Sequence, residues 1–318
     1  MQQVEAQIEK SPAQSVARLR IFCLVLALLP LAAMLGAVGL AKSDWLMRRG
    51  MPAYLQMMDA EWGIRGRSCE VLVFGDSTAL TGMMPWVIEQ ESGRTTCSVA
   101  MTKGTVGVMG TTSLERYLEN NPAPQVLILA FAPEDWRHFG AWAEVAYVEG
   151  ALQLVRHGTA RQYVTALVTH PSEAFGFATF IYKAALGVLD GHPSIQSGAV
   201  RDGQMTMPTA AEQQCATDPG HPPPLYPPDA AYVEQMRQRF AHTGTQVLLL
   251  VPPVPDCDSQ ADWYAARLRG LTNNQLERWP IGLYNDIDRH FTPEGAERFS
   301  REVGKSLRAP NSTPGKVE

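Results

Sequence analysis

Ser77, His290 and the two aspartates just before that histidine, Asp286 and Asp288, have the side-chain types needed for nucleophilic catalysis. A serine hydroxyl attacks a carbonyl carbon effectively only when a neighbouring base takes its proton. An imidazole can be that base when a carboxylate orients it and stabilises its protonated form. Ser77 lies in "VLVFGDSTALTG", residues 71–82, an apolar run that stops at Gly75 and delivers Asp76 and Ser77. His290 and Asp288 lie in "NDIDRHFTPEGAERFS", residues 285–300. There Thr292 suits a helix N-cap, Pro293 the first helical position, and Glu294 the positive end of the helix dipole. The helix start is therefore well specified, and so is the loop just before it. Ser77 as nucleophile, His290 as general base and Asp288 as orienting acid supply the three roles, with Asp286 the other candidate for the third. The remaining histidines are scattered, and no CxxC or HExxH spacing points to a metal, so the chemistry requires no metal or cofactor.

These residues need elements to present them. Val71–Phe74 reads as a strand, 83–92 as a helix opening near Pro85, and Cys97–Met101 as a second strand. A glycine-bearing turn with Thr102, Lys103 and Gly104 follows, then a helix around 110–120 and a third strand, Val126–Phe131. Residues 140–190 have helical periodicity, and 191–228, rich in Pro, Gly and Ser, read as a long loop. Helix returns at 229–242, strand at Gln246–Val251, helix at 260–275, a short strand near Ile281–Tyr284 and a final helix at 293–308. Continuous apolar strands alternating with helices are the pattern of a parallel sheet covered on both faces. The expected fold class is α/β, a three-layer α/β/α domain with a central, mainly parallel sheet. In such sheets sites form in the loops after the C-terminal ends of strands.

The chain of 318 residues is 45% hydrophobic and 19% charged, with formal net charge −5 and no long basic run, so nothing favours a nucleic-acid partner. Ile21 to Ala41 is an uncharged apolar run of the length that spans a bilayer as a helix. It is longer than the apolar region of most cleaved signal peptides. The organisation expected is a cytoplasmic tail over 1–17, a transmembrane anchor over 18–42 and a juxtamembrane connector over 43–68. The domain then occupies 69–308, and a disordered tail 309–318. Arginines and lysines flank both ends of the span and leave the orientation nearly balanced. Outside the span, Cys69, Cys97, Cys215 and Cys257 are even in number, which suits pairing in an oxidising compartment. The pairing expected is Cys69–Cys97 and Cys215–Cys257, the first across neighbouring strands. One N-terminal span with a signal-like start favours export of the body, so the expectation is a single-pass protein of the inner (cytoplasmic) membrane with its body on the periplasmic or extracytoplasmic side.

"FGDST" near the start of the body and "DIDRHFTPEGA" near its end resemble the SGNH/GDSL hydrolase superfamily. The resemblance spans roughly residues 69–308, with specific motifs only at the two ends. It implies an SGNH-hydrolase-like fold, Ser77 as nucleophile, His290 as base and an aspartate just upstream as orienter. It also implies oxyanion donors from the Ser77 amide and from Gly104. Two departures stand out. The residue three before His290 is Ile287, which leaves Asp288 and Asp286 as candidates, and Glu134 occupies the position of an asparagine that donates to the oxyanion. An ionised carboxylate cannot donate.

A domain of this kind behind one anchor resembles the membrane-anchored SGNH proteins of bacterial cell-surface polysaccharide O-acetylation. That resemblance implies an O-acyltransferase or acyl esterase using a Ser-His-Asp acyl-enzyme mechanism, with a membrane-bound O-acyltransferase as partner and a polysaccharide as substrate. Glu134 favours an alternative, a non-catalytic module that binds glycan or partner proteins in the same machinery. A general lipase or esterase is the remaining reading.

Overall fold

Val71–Gly75 (β1) and Val126–Ala130 (β3) are unbroken apolar runs in which every residue is buried. A strand with no polar face must be covered on both sides, and helices between strands supply that cover in a parallel sheet. The computed structural model describes residues 12–138, 148–169, 176–189, 200–201, 204–205, 225–241, 244–285 and 289–308. Its central sheet has the order β2-β1-β3-β6, all parallel, with Thr96–Ser98 as β2 and Gln246–Leu250 as β6. Gly75 pairs with Ala130 and Ala130 with Leu250, so the C-terminal ends of β1, β3 and β6 lie level.

Gly75 is required by close approach. A Cβ there would come 1.9 Å from the Ala130 carbonyl oxygen, a separation no side chain can occupy. The glycine that ends the first apolar run thus lets β1 and β3 deliver their loops side by side.

Helix α4 (Ser77–Gly82) follows β1 directly, then α5 (Pro85–Ser92) leads to β2. After β2 come α6 (Lys103–Met109) and α7 (Thr112–Asn120), and after β3 a 3-10 turn, Pro133–Asp135. Further along are α8 (Val148–His157), α9 (Ala160–Thr169), α10 (Phe177–Leu189), a two-residue hairpin of Val200–Arg201 (β4) with Gln204–Met205 (β5), and α11 (Ala230–Ala241). Val254–Pro255 (β7), α12 (Ala261–Leu268), Arg278–Trp279 (β8) and α13 (Pro293–Ser306) complete the order.

The structure is α/β with a parallel central sheet, as the alternation of elements predicts. It differs in detail at several points. The short strand expected at Ile281–Tyr284 is a 3-10 turn over Ile281–Leu283. Pro280 sets φ and has no amide to donate to a ladder. The strand lies just before it, as β8, and pairs in parallel with β7 in a separate two-stranded sheet. Helix α6 occupies the stretch expected as a turn, and α4 lies between the first strand and the helix expected over 83–92, where no element is expected. The helix expected over 260–275 ends at Leu268, two residues before Gly270 adopts φ 79°. Apart from the hairpin strands and residues 225–228, the long loop expected over 191–228 lies outside the described residues.

The cysteine pairing is seen in part. Cys69 and Cys97 form a disulfide with Cα atoms 5.8 Å apart. Cys69 lies upstream of the first ladder pair, Val71↔Thr96, so the bond ties the lead-in of β1 to β2 without joining directly paired residues. Cys257 is disulfide-bonded, whereas Cys215 lies outside the described residues. Cys23 is free.

At the N-terminus α1 (Pro12–Lys42) contains one stretch, Val16–Lys42, long and apolar enough to cross a membrane. Its 27 residues span about 40 Å at the helical rise, more than a hydrocarbon core of about 30 Å. The connector that follows is part of the body. It forms α2 (Asp44–Gly50) and α3 (Pro52–Gly63), and Leu46, Met47, Met51, Leu55, Met57, Met58 and Trp62 join the same core as the sheet. The apolar side of this segment is what makes it a layer of the domain.

Within that layer the Trp62 indole donates to Gln153 Oε1 at 2.7 Å, and its ring stacks on His157 with centroids 4.7 Å apart. Burial first, then the charges of Arg156 and Arg116, lower the His157 pKa from 6.5 to about 3. Above 6.5 the imidazole is neutral in both states. As the pH falls from there towards 3 the unfolded chain takes up a proton that the folded chain refuses, so stability drops by about 1.4 kcal/mol per pH unit. We expect His157→Phe, which keeps the stack, to flatten the loss of melting temperature between about pH 7 and about pH 5. A slope equal to that of the native chain would show that His157 takes up its proton equally in the folded and unfolded chains.

Candidate functional site

Asp76 follows the last residue of β1, and its buried carboxylate ties two strand ends together. Oδ1 accepts from the Thr78 amide (2.8 Å) and the Thr78 hydroxyl (2.6 Å), capping α4. Oδ2 accepts from the Ala132 amide (2.8 Å) in the loop after β3. Ser77 is therefore the first residue of a capped helix at the C-terminal edge of the sheet, half-buried, with its carbonyl taken by the Thr81 hydroxyl (2.8 Å). Its amide belongs to the helical turn that has no intrahelical acceptors.

The β2 end is built in the same way. Thr102 caps α6 through Thr105, and Lys103 and Gly104 open that helix. Gly104 is buried, and α8 crosses it so closely that a Cβ on Gly150 would lie 2.4 Å from the Gly104 carbonyl oxygen. Lys103 reaches to the β3 loop, where its ammonium is 2.7 Å from Oδ1 of fully buried Asp135. Burial and then the Glu134 carboxylate push the Asp135 pKa well up, against the pull of Lys103. Burial alone would lower Lys103, but Asp135 and Glu134 outweigh it and hold the ammonium above its ordinary pKa.

The His290 loop is stapled at its base. Tyr284 and Phe291 form an antiparallel bridge, the Asn285 amide donates to the His290 carbonyl (2.7 Å), and the Thr292 amide donates to the Leu283 carbonyl (2.9 Å). Thr292 caps α13 through the Gly295 amide, with Pro293 in the first turn, as the sequence predicts. Helix α13 packs on α4 and α5. Ser300 Oγ accepts from the Met84 amide (2.7 Å) and donates to the Gly82 carbonyl (3.2 Å). The Phe291 ring lies against Gly82, where a Cβ would come within 2.6 Å of it. The residue after His290 thus touches the end of the helix that Ser77 begins. His290 is half-buried, and Asp286 and Asp288 lie outside the described residues.

Arg289 joins this loop to two others. Its backbone is left-handed, φ 64°, a conformation that costs a non-glycine residue about 1–3 kcal/mol and persists only where the surroundings enforce it. Nε donates to Asp258 Oδ2 (2.8 Å), Nη2 approaches the same oxygen (2.7 Å), and Nη1 donates to Glu134 Oε2 (2.5 Å). Burial opposes the charge, but Glu134 and Asp258 raise the Arg289 pKa and keep the guanidinium ionised. Glu134, the departure from the expected asparagine, accepts from the residue next to His290. No sequence motif marks Arg289, Asp258, Lys103 or Asp135 as a site residue. The available signal was three acids on strand-end loops, which need counter-charges once buried.

Compared with family models, curated proteins and solved structures, the chain matches none. The groups held at this edge therefore define the site on their own geometry. Among the described residues no cluster of His, Cys, Asp and Glu could hold a metal.

If Arg289 joins the loops, Arg289→Met should destabilise the fold by about 3–5 kcal/mol, because two partly buried carboxylates lose their partner. Glu134→Gln should cost about 1 kcal/mol, since Asp258 still pairs with the guanidinium. In denaturant unfolding the double variant should fall short of additivity by about 1 kcal/mol or more. Strict additivity would mean that the two side chains act independently.

Proposed function

We propose that this chain is a membrane-anchored, extracytoplasmic O-acyltransferase or acyl esterase that uses Ser77 as nucleophile and His290 as general base. The observation that carries the reading is the joining of strand-end loops. The residue before Ser77 is bonded to the β3 loop, and the residue before His290 is bonded to that same loop through Glu134. Asp288 or Asp286 orients the imidazole. The Ser77 and Gly104 amides, each in the first turn of a helix, donate to the oxyanion. The hydroxyl proton passes to His290 as Ser77 attacks the acyl carbonyl, and the alcohol leaves with that proton. A sugar hydroxyl or water then attacks the acyl-enzyme, giving transfer or hydrolysis.

The substrate is a cell-surface polysaccharide, and the acyl group arrives from a membrane-bound O-acyltransferase. The apolar helix α1 and the disulfides support placement of the body outside the cytoplasm, at the inner membrane. No metal or cofactor takes part. Glu134 supports a second reading, a fold that binds glycan or a partner without turnover, because a carboxylate paired with Arg289 donates nothing to an oxyanion.

Ser77→Ala and His290→Ala should each reduce hydrolysis of an activated acetyl ester by about a thousandfold or more while leaving melting temperatures unchanged. Native-like hydrolysis in both variants would leave the binding reading in place.

A further inference from the structure

Helix α10 has one face inside the body and one outside. Phe177 and Ala184 are buried, and α2 crosses so near that a Cβ on Gly50 would lie 2.1 Å from the Ala184 carbonyl oxygen. Tyr182, Leu186 and Leu189 follow at i, i+4 and i+7, one stripe of a helix. Tyr182 is 63% and Leu189 79% exposed. Leu186 is half-buried, and on the packed neighbour α2 Trp45 is 59% exposed, with the Arg49 guanidinium 4.5 Å above its ring; Lys42, Arg48 and Lys183 are exposed as well. Large apolar side chains exposed on two helices that pack together mark a candidate contact surface.

The end of α1 identifies the occupant. Both α2 and α10 pack against α1, and Ala41, in its last turn, is buried at that junction. Upstream, α1 carries its leucines in the open, with Leu24, Leu26, Leu28 and Leu29 each at least half exposed. If that stretch lies in hydrocarbon, the α2–α10 face stands at the boundary where it emerges. Trp and Tyr favour that level, and Lys and Arg favour anionic headgroups.

We propose that α2 and the outer stripe of α10 form a shelf that rests on the surface of an anionic phospholipid bilayer beside the exit of α1. The shelf depends on α1 as a membrane span and not on the acyl-transfer chemistry. It also sets the height of the site. Helix α8 is bonded to the anchor at one end, with Arg156 Nη1 donating to the Ala41 carbonyl (2.9 Å) and Nη2 to Asp44 Oδ1 (2.6 Å). Six residues earlier, Gly150 of the same helix packs on Gly104. Six helical residues span about 9 Å, so the β2 loop is tied to the membrane exit through a short rigid spacer.

The test uses the full chain carrying Cys23→Ser, with single nitroxide labels at Tyr182→Cys, Leu189→Cys, Leu28→Cys and Lys305→Cys, attached without reduction. In nanodiscs of phosphatidylcholine and phosphatidylglycerol, labels at 182 and 189 should be open to oxygen and shielded from a water-soluble nickel chelate, like the label at 28. The label at 305 should show the reverse. Nickel access at 182 and 189 equal to that at 305, with 28 still shielded, overturns the shelf and leaves the anchor standing. Shielding that appears only in native membranes would assign the face to a protein partner and also overturns the proposal. Nickel access at 28 removes the span and the shelf together.

Discussion

Charge buried at the C-terminal edge of a parallel sheet has to be paired, and the arrangement of this domain depends on how it is done. The loop after β3 is the common partner. Its Ala132 amide binds Asp76, its Glu134 binds Arg289 and its Asp135 binds Lys103. The first contact joins the loop to the β1 end, the second to the His290 loop and the third to the β2 end. Arg289 extends the set to Asp258, after β7. Hydrogen bonds to charged groups contribute about 1.5–3 kcal/mol each, and losing one member of a buried pair costs more than the pair contributes. The loops are thus held more firmly to one another than their lengths would suggest, a geometry that suits a site requiring fixed distances between groups.

The backbone pays locally for this firmness. Arg289 is the one described non-glycine residue with positive φ, and it stands immediately before His290. Two carboxylates and the bridge between Tyr284 and Phe291 enforce that conformation. From the sequence alone, Glu134 reads as a carboxylate that cannot donate to an oxyanion. Beside Arg289 it becomes the acceptor that keeps the histidine loop in place.

The parts legible in the sequence were those set by local chemistry. The apolar runs of β1, β3 and β6 and the Thr-Pro-Glu start of α13 appear where their residue types put them. The rest depended on long-range contacts. Asp76 and Thr102 are cap residues that also suit turns, and six or seven residues are too few for a helical period to show. Pro280 moved the last short strand upstream into a second sheet. The sequence marks 43–68 only as a connector, and its place in the core follows from contacts with α8 and α10. For the candidate site, Ser77, His290 and Gly104 could be named from motifs. The ion pairs that join their loops link residues up to 155 positions apart and have no local signature.

If the proposed function is right, this edge activates one serine. Reaction of the full chain with a fluorophosphonate, followed by peptide mapping, tests it most directly, because the reagent modifies a hydroxyl only where a base and an oxyanion site act on it together. A single modified residue, Ser77, is expected in the native chain, and none in the His290→Ala chain. An unmodified Ser77 in the native chain, or equal labelling with and without His290, would contradict it.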